Sequence, residues 1–364
     1  MKLVHLADCH IGFRQFQRLS ADGCNQRELD VEKTWDWAVN RIIQLQPDLI
    51  LIAGDLFHYS RPSNRATRAA VRGFLELRKD LPHVPICLAA GNHDQASTND
   101  MGSALPLLAD LVPDLYIAEH EPQSFRLPDL GITVECVPEG CQPAYTGDIL
   151  VYHGEVDRMP KASHRAPTVE SLQRYQYAAL GHWHDMTMWD HVGYSGSLDY
   201  TSSDPWHEHG SKGFIEWDTE QRVHTVHLTP VRPHGEIRFG VAGWEKEKVT
   251  ERIRDRLSCV HDGACVRIVI EDCPYSLSVR DFPEARRFLN CQILTERPKR
   301  EAVQWGTPGN KRPSLETIVR TYMQARAEEL HLSSDEQVGF MQAFDDSWQT
   351  ARDAITETPA EAES

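Results

Sequence analysis

The sequence predicts an α/β protein in which polar side chains gather at the ends of buried strands. Short apolar runs such as 49–53 are too short for helices and are typical of strands buried on both faces. Segments with helical spacing of apolar residues, such as 31–46, alternate with these runs. An Asp, Asn or His follows several of the runs, beside glycine or within a short turn. Because ligands of α/β sheets bind where strands end, these side chains predict a single site.

The first two strands each end in candidate metal ligands. A strand over 2–7 leads into Asp8-Cys9-His10, and alternate residues at a strand's end point the same way, so we expect Asp8 and His10 to face one metal. A loop over 13–30 and a helix over 31–46 follow. The strand 49–53 then delivers Asp55, and a carboxylate at the end of a buried strand is expected to hold a cation.

Three later strands end in further polar motifs. They deliver Gly-Asn-His-Asp at 91–94, His153, and Gly-His-Trp-His at 181–184. Alternating segments at 212–217 and 223–228 predict half-exposed antiparallel strands. The other predicted elements are a helix over 63–79 with Ser63 as its N-cap, a strand over 84–90, a helix over 103–111, and strands at 115–118, 132–137, 149–152 and 177–180.

Changes in composition divide the chain into five segments. Two prolines near 229–234 interrupt the strand pattern, and a polar, proline-containing stretch precedes two amphipathic helices. In the second segment we predict strands at 237–239 and 264–270 and helices at 246–257 and 282–289. The segments are a core over 1–229, a small α+β domain over 230–297, a linker over 298–313, a helix pair over 314–354 and a disordered acidic tail over 355–364.

The length and composition are typical of a folded protein, and the net charge is negative. Its 364 residues, 40% hydrophobic and 25% charged, are ordinary for a globular chain of two or three domains. A formal net charge of −16 argues against a generally basic surface. This charge does not exclude nucleic acid as a ligand, because an acidic protein can bind it through a local basic groove and bound cations.

The cysteines and the apolar runs indicate the cellular compartment of the protein. Nine scattered cysteines without a C-x-x-C pair predict a reducing compartment and no disulfide framework. No apolar run has membrane-spanning length, and the first residues form a strand rather than a signal peptide. We therefore expect a cytoplasmic, nucleoid-associated protein with no membrane contact.

The strand ends together supply the donors for two metal ions. A single Asp or His after a strand is more often a satisfied polar residue than a ligand, but the ordered set of five motifs favours a metal centre. Mixed imidazole, carboxylate and amide donors suit Mn²⁺ or Fe²⁺ better than Mg²⁺, and no cysteine is placed to form a thiolate zinc site. The predicted ligands are Asp8, His10, Asp55, Asn92, His153, His182 and His184.

This ordered set of motifs resembles the calcineurin-like metallophosphoesterase superfamily, and its details are similar to the SbcD-type nuclease subunits of double-strand-break repair. Those details are Gly-Asp-Leu-Phe-His at 54–58 followed by Ser-Arg-Pro-Ser at 60–63, and Gly-Ser-Leu at 196–198 before Lys-Gly-Phe at 212–214. Protein phosphatases of the superfamily have a second Asp where this chain has His58, which disfavours that subgroup. The resemblance implies a two-sheet β-sandwich flanked by helices.

The resemblance also implies roles for the motif residues. One metal would be held by Asp8, His10, Asp55 and His184, and the other by Asp55, Asn92, His153 and His182. His93 would contact the scissile phosphate and protonate the leaving oxygen, Asp94 would orient His93, and His58 would lie near the DNA. The implied activities are 3′→5′ exonuclease action on duplex ends and endonuclease action on single strands or hairpins.

The resemblance extends to DNA and to protein partners. The small domain would cap the active site, and Arg14, Arg61 and Arg65 would contact phosphates, although a solvated helix face explains such arginines equally well.

The helix pair would dock on an SbcC-type ATPase of the SMC class, or its apolar stripes could pack on each other or on the core. Helices near 63–79 and 101–112 would form a homodimer. The predicted partner-binding residues are Ile318, Tyr322, Met341, Phe344 and Trp348.

A phosphatase or cyclic-nucleotide phosphodiesterase of the same fold is the alternative function. It would use the same seven metal ligands, so the ligands cannot separate it from a nuclease. The predicted cap domain, helix pair and arginines favour the nuclease.

Overall fold

The computed structural model describes residues 1–95, 102–208, 210–297, 319–324, 326 and 336–345. The chain forms two compact units, Met1–Pro298 and Lys299–Ser364. Within the described residues, the strands are β1 Lys2–Leu6, β2 Leu49–Ile52, β3 Ile86–Ala89, β4 Leu115–Ala118, β5 Gln123–Leu127, β6 Ile132–Val137, β7 Ile149–His153, β8 Tyr177–Gly181, β9 Thr187–Trp189, β10 Val192–Tyr194, β11 Gly213–Asp218, β12 Val223–Leu228, β13 His234–Gly240, β14 Cys265–Glu271 and β15 Asn290–Thr295. The helices are α1 Gln26–Leu45, α2 Asn64–Asp80, α3 Leu105–Leu111, α4 Val169–Leu172 and α5 Lys246–Ser258.

Two six-stranded sheets pack face to face, as the sequence predicts. The first has the order β12-β11-β1-β2-β3-β4 and the second the order β5-β6-β7-β8-β10-β9. The runs β1–β4 and β6-β7-β8-β10 are parallel, while β5, β9, β11 and β12 pair antiparallel at the edges. The sequence analysis missed the short strands β5, β9 and β10, because mostly polar or three-residue segments lack a clear alternation.

Alternation along β2 explains why this strand is apolar throughout. Leu49 and Leu51 point into the sandwich, where they join the core shared with the second sheet. Ile50 and Ile52 point to the other face and pack against the helices. Both faces are therefore covered, as expected for a parallel sheet.

Helices α1 and α2 cover the outer face of the first sheet. Trp35 of α1 and Phe74 of α2 are fully buried there, and the Trp35 indole N–H donates to the Ala69 carbonyl at 3.2 Å. Helix α2 has the predicted N-cap, since the Ser63 hydroxyl accepts from the Ala66 N–H. The predicted loop over 13–30 is wrong at its end: α1 begins at Gln26, because Asn25 caps it.

The small sheet β13-β14-β15 has its own core. All three strands are parallel, and α5 covers them with Val249, Ile253 and Leu257. The helix predicted over 282–289 is wrong. Short 3₁₀ turns at Val279–Asp281 and Pro283–Arg287 precede β15, and Phe282 and Phe288 are both buried. Residues six apart lie about 120° apart on an α-helix, so a regular helix would not bury both rings on one face.

A charged network joins the small sheet to the first. Arg232, at the start of the small sheet, makes a bidentate ion pair with Asp30 of α1, with N–O distances of 2.6 and 2.7 Å. Arg27 bridges Asp30 and the buried Asp199. The described residues up to 297 thus lie in a single compact unit.

In the second unit, residues 319–324 and 336–345 are helical. Arg320 pairs with Asp345 at 2.6 Å, and its guanidinium lies 5.8 Å from the centre of the Phe344 ring. Tyr322 is exposed and Met341 is half-buried. Ile318, Trp348, the predicted linker over 298–313 and the predicted tail over 355–364 lie outside the described residues. Among the described helices, none combines the length and apolar character that crossing a membrane requires.

Candidate metal centre

Five loops meet at one edge of the sandwich and bring the predicted ligands together. Three of them follow β1, β2 and β3 of the first sheet, and two follow β7 and β8 of the second. In the described residues, the sets of side chains with donor atoms close enough to share a cation include Asp8 with His10 and His184, and Asp8 with Asp55 and His153. Side chains that are distant in the chain therefore lie together at the ends of these strands.

Left-handed backbone, rather than strand alternation, aims the first two ligands. Strand β1 ends at Leu6, and Asp8 and His10 have φ of 50° and 47°. Asp55 (φ 50°) and His182 (φ 101°) share this conformation. Non-glycine residues rarely adopt it, and when they do they cluster at functional sites. The expectation that alternation directs Asp8 and His10 is thus corrected.

Asp55 lies between two groups of donors. Its Oδ1 atom accepts a hydrogen bond from the His93 N–H at 2.8 Å, which fixes the carboxylate. Its Oδ2 atom lies 3.7 Å from His10 Nε2 and 3.6 Å from His153 Nε2. A Cβ atom at Gly91 would come within 2.1 Å of Oδ1, so only glycine leaves room for this carboxylate.

The first donor group lies on the β1 side of Asp55. His10 Nε2 and His184 Nε2 are 3.1 Å apart, and His184 Nε2 is 4.0 Å from Asp8 Oδ1. The Asp8 carboxylate accepts from the His182 N–H at 3.1 Å. Burial and the neighbouring imidazoles, His184 foremost, hold the pKa of His10 well below its usual range. His10 is therefore neutral at pH 7, which is the form that binds metals.

The second donor group lies on the β7 side. The Asn92 side-chain oxygen is 3.2 Å from His153 Nε2 and 3.3 Å from His182 Nδ1. His153 Nδ1 must donate to the Ala53 carbonyl, 2.8 Å away, because a carbonyl oxygen can only accept. In neutral His153 the Nε2 lone pair then faces the oxygens of Asn92 and Asp55.

The lone pairs of His153 Nε2 and of the Asn92 and Asp55 oxygens point toward one another, and this arrangement suits a divalent cation. Burial alone would lower the pKa of His153, but the Asp55 and Asp8 carboxylates, the hydrogen bond to Ala53 and the charge of Glu139 together outweigh burial and raise it. The surroundings of Nε2 thus favour positive charge, whether a proton or a metal supplies it. Oxygen and imidazole donors in this mixture match the ligand chemistry of Mn²⁺ and Fe²⁺ sites. Donors of this kind lie on both sides of Asp55 and fit divalent metal binding.

His93 and His58 stand beside the donor groups. The His93 Nδ1–H donates to the His58 carbonyl at 2.8 Å, and the two rings stack with centroids 4.9 Å apart. The Nδ1 atom of His58 lies 3.3 Å from His10 Nδ1. Burial and the His93 charge lower the pKa of His58 to about 4. When the Nε2 lone pair of His10 faces a cation, the proton of His10 is on Nδ1. The Nδ1 atom of His58 then accepts a hydrogen bond from this Nδ1–H group.

Asp94 holds loops rather than the His93 ring. Its carboxylate accepts from the N–H groups of Leu56, Phe57 and Gly91 at 2.9–3.2 Å. The expectation that Asp94 orients His93 directly is therefore corrected. Asp94 is a positioning residue that ties the Asp55 loop to the Asn92 loop.

Sequence reasoning missed the side chains behind His184. Glu208 Oε1 lies 3.4 Å from His184 Nδ1, and Glu208 also pairs with the buried Lys212, whose ammonium donates to the His184 carbonyl at 2.9 Å. These contacts hold the His184 ring and leave its Nε2 facing Asp8. No local sequence signal marks Glu208, because its neighbours His207 and His209 suggest only a polar loop.

Two of the predicted DNA-binding arginines, Arg14 and Arg65, are paired with acidic residues of α1. Arg14 makes two hydrogen bonds with Glu28, at 2.8 and 3.1 Å, and Arg65 forms an ion pair with Glu32 at 2.5 Å. Arg61 lies in the bend before α2. Arg14 remains half-exposed, so its guanidinium is accessible from the surface.

Two sheets enclosing Asp, His and Asn side chains at their strand ends define a metal-dependent phosphoesterase. Residues 1–210 match the calcineurin-like phosphoesterase family, and the chain belongs to that family.

Archaeal proteins named DNA double-strand break repair protein Mre11 are similar to this chain. The relative from Methanococcus maripaludis is 26% identical over 204 residues, 52% of this chain and 53% of the relative. The relative from Methanocaldococcus jannaschii is 33% identical over 112 residues, 31% of this chain and 28% of the relative. The relative from Aeropyrum pernix is 27% identical over 210 residues, 50% of this chain and 49% of the relative. The chain thus spans about half the length, or less, of these curated relatives.

Proposed function

We propose that this protein is a two-metal DNA phosphodiesterase, a nuclease that processes double-strand breaks. The observation that carries the proposal is the position of Asp55 Oδ2 between His10 Nε2 and His153 Nε2, at 3.7 and 3.6 Å. Similarity to the archaeal Mre11 proteins supports DNA as the substrate.

In this proposal the donor groups hold one cation each. Asp8, His10, Asp55 and His184 would hold the first cation, and Asp55, Asn92, His153 and His182 the second. Mn²⁺ suits this donor mixture, and Fe²⁺ is the next best candidate. When bound, the two cations would supply Lewis-acid activation of water and of the phosphoryl group.

His93 acts on the leaving group. With its Nδ1–H committed to the His58 carbonyl, its Nε2 atom is the one that carries the transferable proton when the ring is in the imidazolium form. That nitrogen stabilises the phosphate and protonates the leaving 3′-oxygen. His58 stacks on His93 and limits its rotation, so the ring is positioned before substrate binds.

The proposed activities are 3′→5′ exonuclease action on duplex ends and endonuclease action on single strands or hairpins. The small sheet, tied to α1 through Arg232 and Asp30, would cap the DNA-binding face. Arg14, Arg61 and Arg65 would exchange acidic partners for phosphates when DNA binds.

The proposed protein partners are an SMC-like ATPase of the SbcC type and a second copy of this chain. For the ATPase, the exposed Tyr322 and Val338 and the half-buried Met341 and Phe344 leave apolar surface on the described helical residues of the second unit. For the homodimer, α2 and α3 form an apolar groove in which Leu75, Leu107 and Leu111 are about half-exposed.

A phosphatase or cyclic-nucleotide phosphodiesterase is the second candidate. The pairing of Arg14 with Glu28 and of Arg65 with Glu32 favours it, because paired arginines attract a DNA backbone less strongly. The acidic net charge of −16 acts in the same direction.

Cleavage assays separate the two functions. The substrates are an end-labelled duplex, a DNA hairpin and bis-p-nitrophenyl phosphate, each with Mn²⁺ and with EDTA. We expect metal-dependent cleavage of all three. Turnover of the small ester with intact DNA, both alone and with the ATPase, would refute the nuclease.

A further inference from the structure

Glu139, which follows β6, lies beside the second donor group although the sequence analysis did not single it out. One ligand atom each of Glu139, His153 and His182 lie within 4.8 Å of one another. The Glu139 backbone is fixed on both sides: its N–H donates to the Ala90 carbonyl at 3.0 Å, and its carbonyl accepts from the Gln95 side chain at 3.2 Å. These bonds attach Glu139 to the loop that carries Asn92.

The carboxylate of Glu139 is incompletely satisfied. Its Oε2 atom is buried and has no hydrogen-bond partner. A buried carboxylate oxygen without a partner is costly, and one oxygen of this carboxylate lies near the imidazole nitrogens, so Glu139 indicates a missing cationic partner.

The two donor groups are unequal in charge without Glu139. Both share Asp55, but the first group also has the carboxylate of Asp8, whereas Asn92, His153 and His182 of the second group are neutral donors. Hard divalent cations bind more tightly as carboxylates are added to the site. A carboxylate from Glu139 would give each group one of its own.

We propose that Glu139 is a carboxylate ligand of the second cation. This inference rests on the proposed two-cation centre. It adds an eighth side chain to the seven predicted ligands, and it assigns Glu139 the task of equalising the affinities of the two positions.

Calorimetric titration of the metal-free full-length chain with Mn²⁺ tests this role. Wild type is expected to bind two Mn²⁺. Glu139→Gln keeps the size of the side chain and removes its charge, and it is expected to weaken the second binding step about 10- to 100-fold while the first step is unchanged. Glu139→Asp shortens the side chain by one methylene group, which moves the carboxylate away from the site. This variant is also expected to weaken the second binding step.

Glu155→Gln is the matched control. Glu155 lies two residues after His153, but its carboxylate accepts from the Ser163 N–H at 3.0 Å and lies outside the donor groups of the described residues. We expect a change of less than about threefold in this variant, because a charge that is not a ligand acts only at long range. The melting temperature of metal-free Glu139→Gln should not fall, since Oε2 has no partner to lose.

The outcomes distinguish this inference from the proposed function. Two Mn²⁺ bound by Glu139→Gln with wild-type affinities would overturn the role of Glu139 and leave the two-cation centre standing. Equal weakening by Glu155→Gln would overturn it too, since net charge alone would then explain the loss. Failure of wild type to bind two Mn²⁺ would overturn the centre itself and, with it, this inference.

Discussion

The Nδ1 atom of His93 lies 2.8 Å from the carbonyl oxygen of His58, and the two imidazole rings stack at an angle of 23°. The His93 ring is therefore held by the loop that follows Asp55. The backbone N–H of His93, in turn, donates to the Asp55 carboxylate and holds it in place. Only the backbone of His93 takes part in that second contact. The side chain and the backbone of this residue thus have separable tasks.

Replacing the His93 side chain should separate catalysis from metal binding. His93→Ala is expected to lower the rate of cleavage of the end-labelled DNA duplex by about 10²- to 10⁴-fold, because proton transfer to the leaving 3′-oxygen is lost. The metal content should remain two Mn²⁺ per chain, since the His93 N–H still holds Asp55. Mass spectrometry of the metals and steady-state kinetics measure both. Loss of metal in this variant would assign His93 to the ligands instead.

Replacing the shared carboxylate should affect both cations. Asp55→Asn removes the charge of the Oδ2 position between His10 and His153, and we expect both Mn²⁺ affinities to fall. Asp8→Asn serves as the control and should weaken the first cation alone. Titration with Mn²⁺ distinguishes the two. Asp55→Asn weakening one step only would show that Asp55 does not bridge.

Removing the Asp94 carboxylate should destabilise the loops around the centre. Asp94→Ala leaves the N–H groups of Leu56, Phe57 and Gly91 without their acceptor in a buried region, which costs about 2–4 kcal/mol. Asp94→Asn keeps one oxygen and should lose less. Urea denaturation of the metal-free protein measures the free energy of unfolding. Equal stability of Asp94→Ala and wild type would contradict the assigned role.

The Arg232–Asp30 ion pair should make stability dependent on pH. Burial raises the pKa of Asp30, but the hydrogen bonds from Arg232 and the charge of Arg27 outweigh it, so that the pKa is lowered. A lowered carboxyl pKa contributes stability above the unfolded value of about 4, and that stability is lost as pH falls through the folded pKa. Arg232→Met should therefore cost about 3 kcal/mol at pH 7 and progressively less below about pH 4.

An exposed ion pair provides the comparison for this measurement. Arg222 and Asp190 are both about half-exposed, so Arg222→Met should cost no more than about 1 kcal/mol at pH 7. Urea denaturation at pH 7 and at pH 3.5 measures the loss of unfolding free energy for both variants. A loss for Arg232→Met that is independent of pH would show that packing, rather than the ion pair, stabilises this contact.

If the protein dimerises as proposed, a charge in the groove between α2 and α3 should prevent the association. Leu75→Glu is expected to shift the chain to a monomer, because the groove with Leu107 and Leu111 would have to bury a carboxylate on association. Leu228→Glu, at an equally exposed leucine of β12, is the control and should leave the assembly unchanged. Light scattering during gel filtration measures the mass. A dimeric Leu75→Glu variant would place the interface elsewhere.

Local sequence is enough to predict the apolar strands that lead into the site and the side chains that stand at their ends. Apolar runs such as Leu49–Ile52 can be buried on both faces only in a covered parallel sheet, so the runs predict both the strands and the edge where their polar ends meet. The chemistry of the donors at that edge then limits the metals. These inferences need only local composition and order, which a single sequence contains.

Tertiary structure alone decided how the side chains are held. The left-handed backbone of Asp8 and His10, the Glu208–Lys212 support behind His184 and the position of Glu139 have no local signal, because their partners are distant in the chain. Arg14 shows the same limit, since its charge is visible in the sequence but its pairing with Glu28 is not. The local sequence can encode the kind of donor, whereas packing between distant segments sets its direction and its partners.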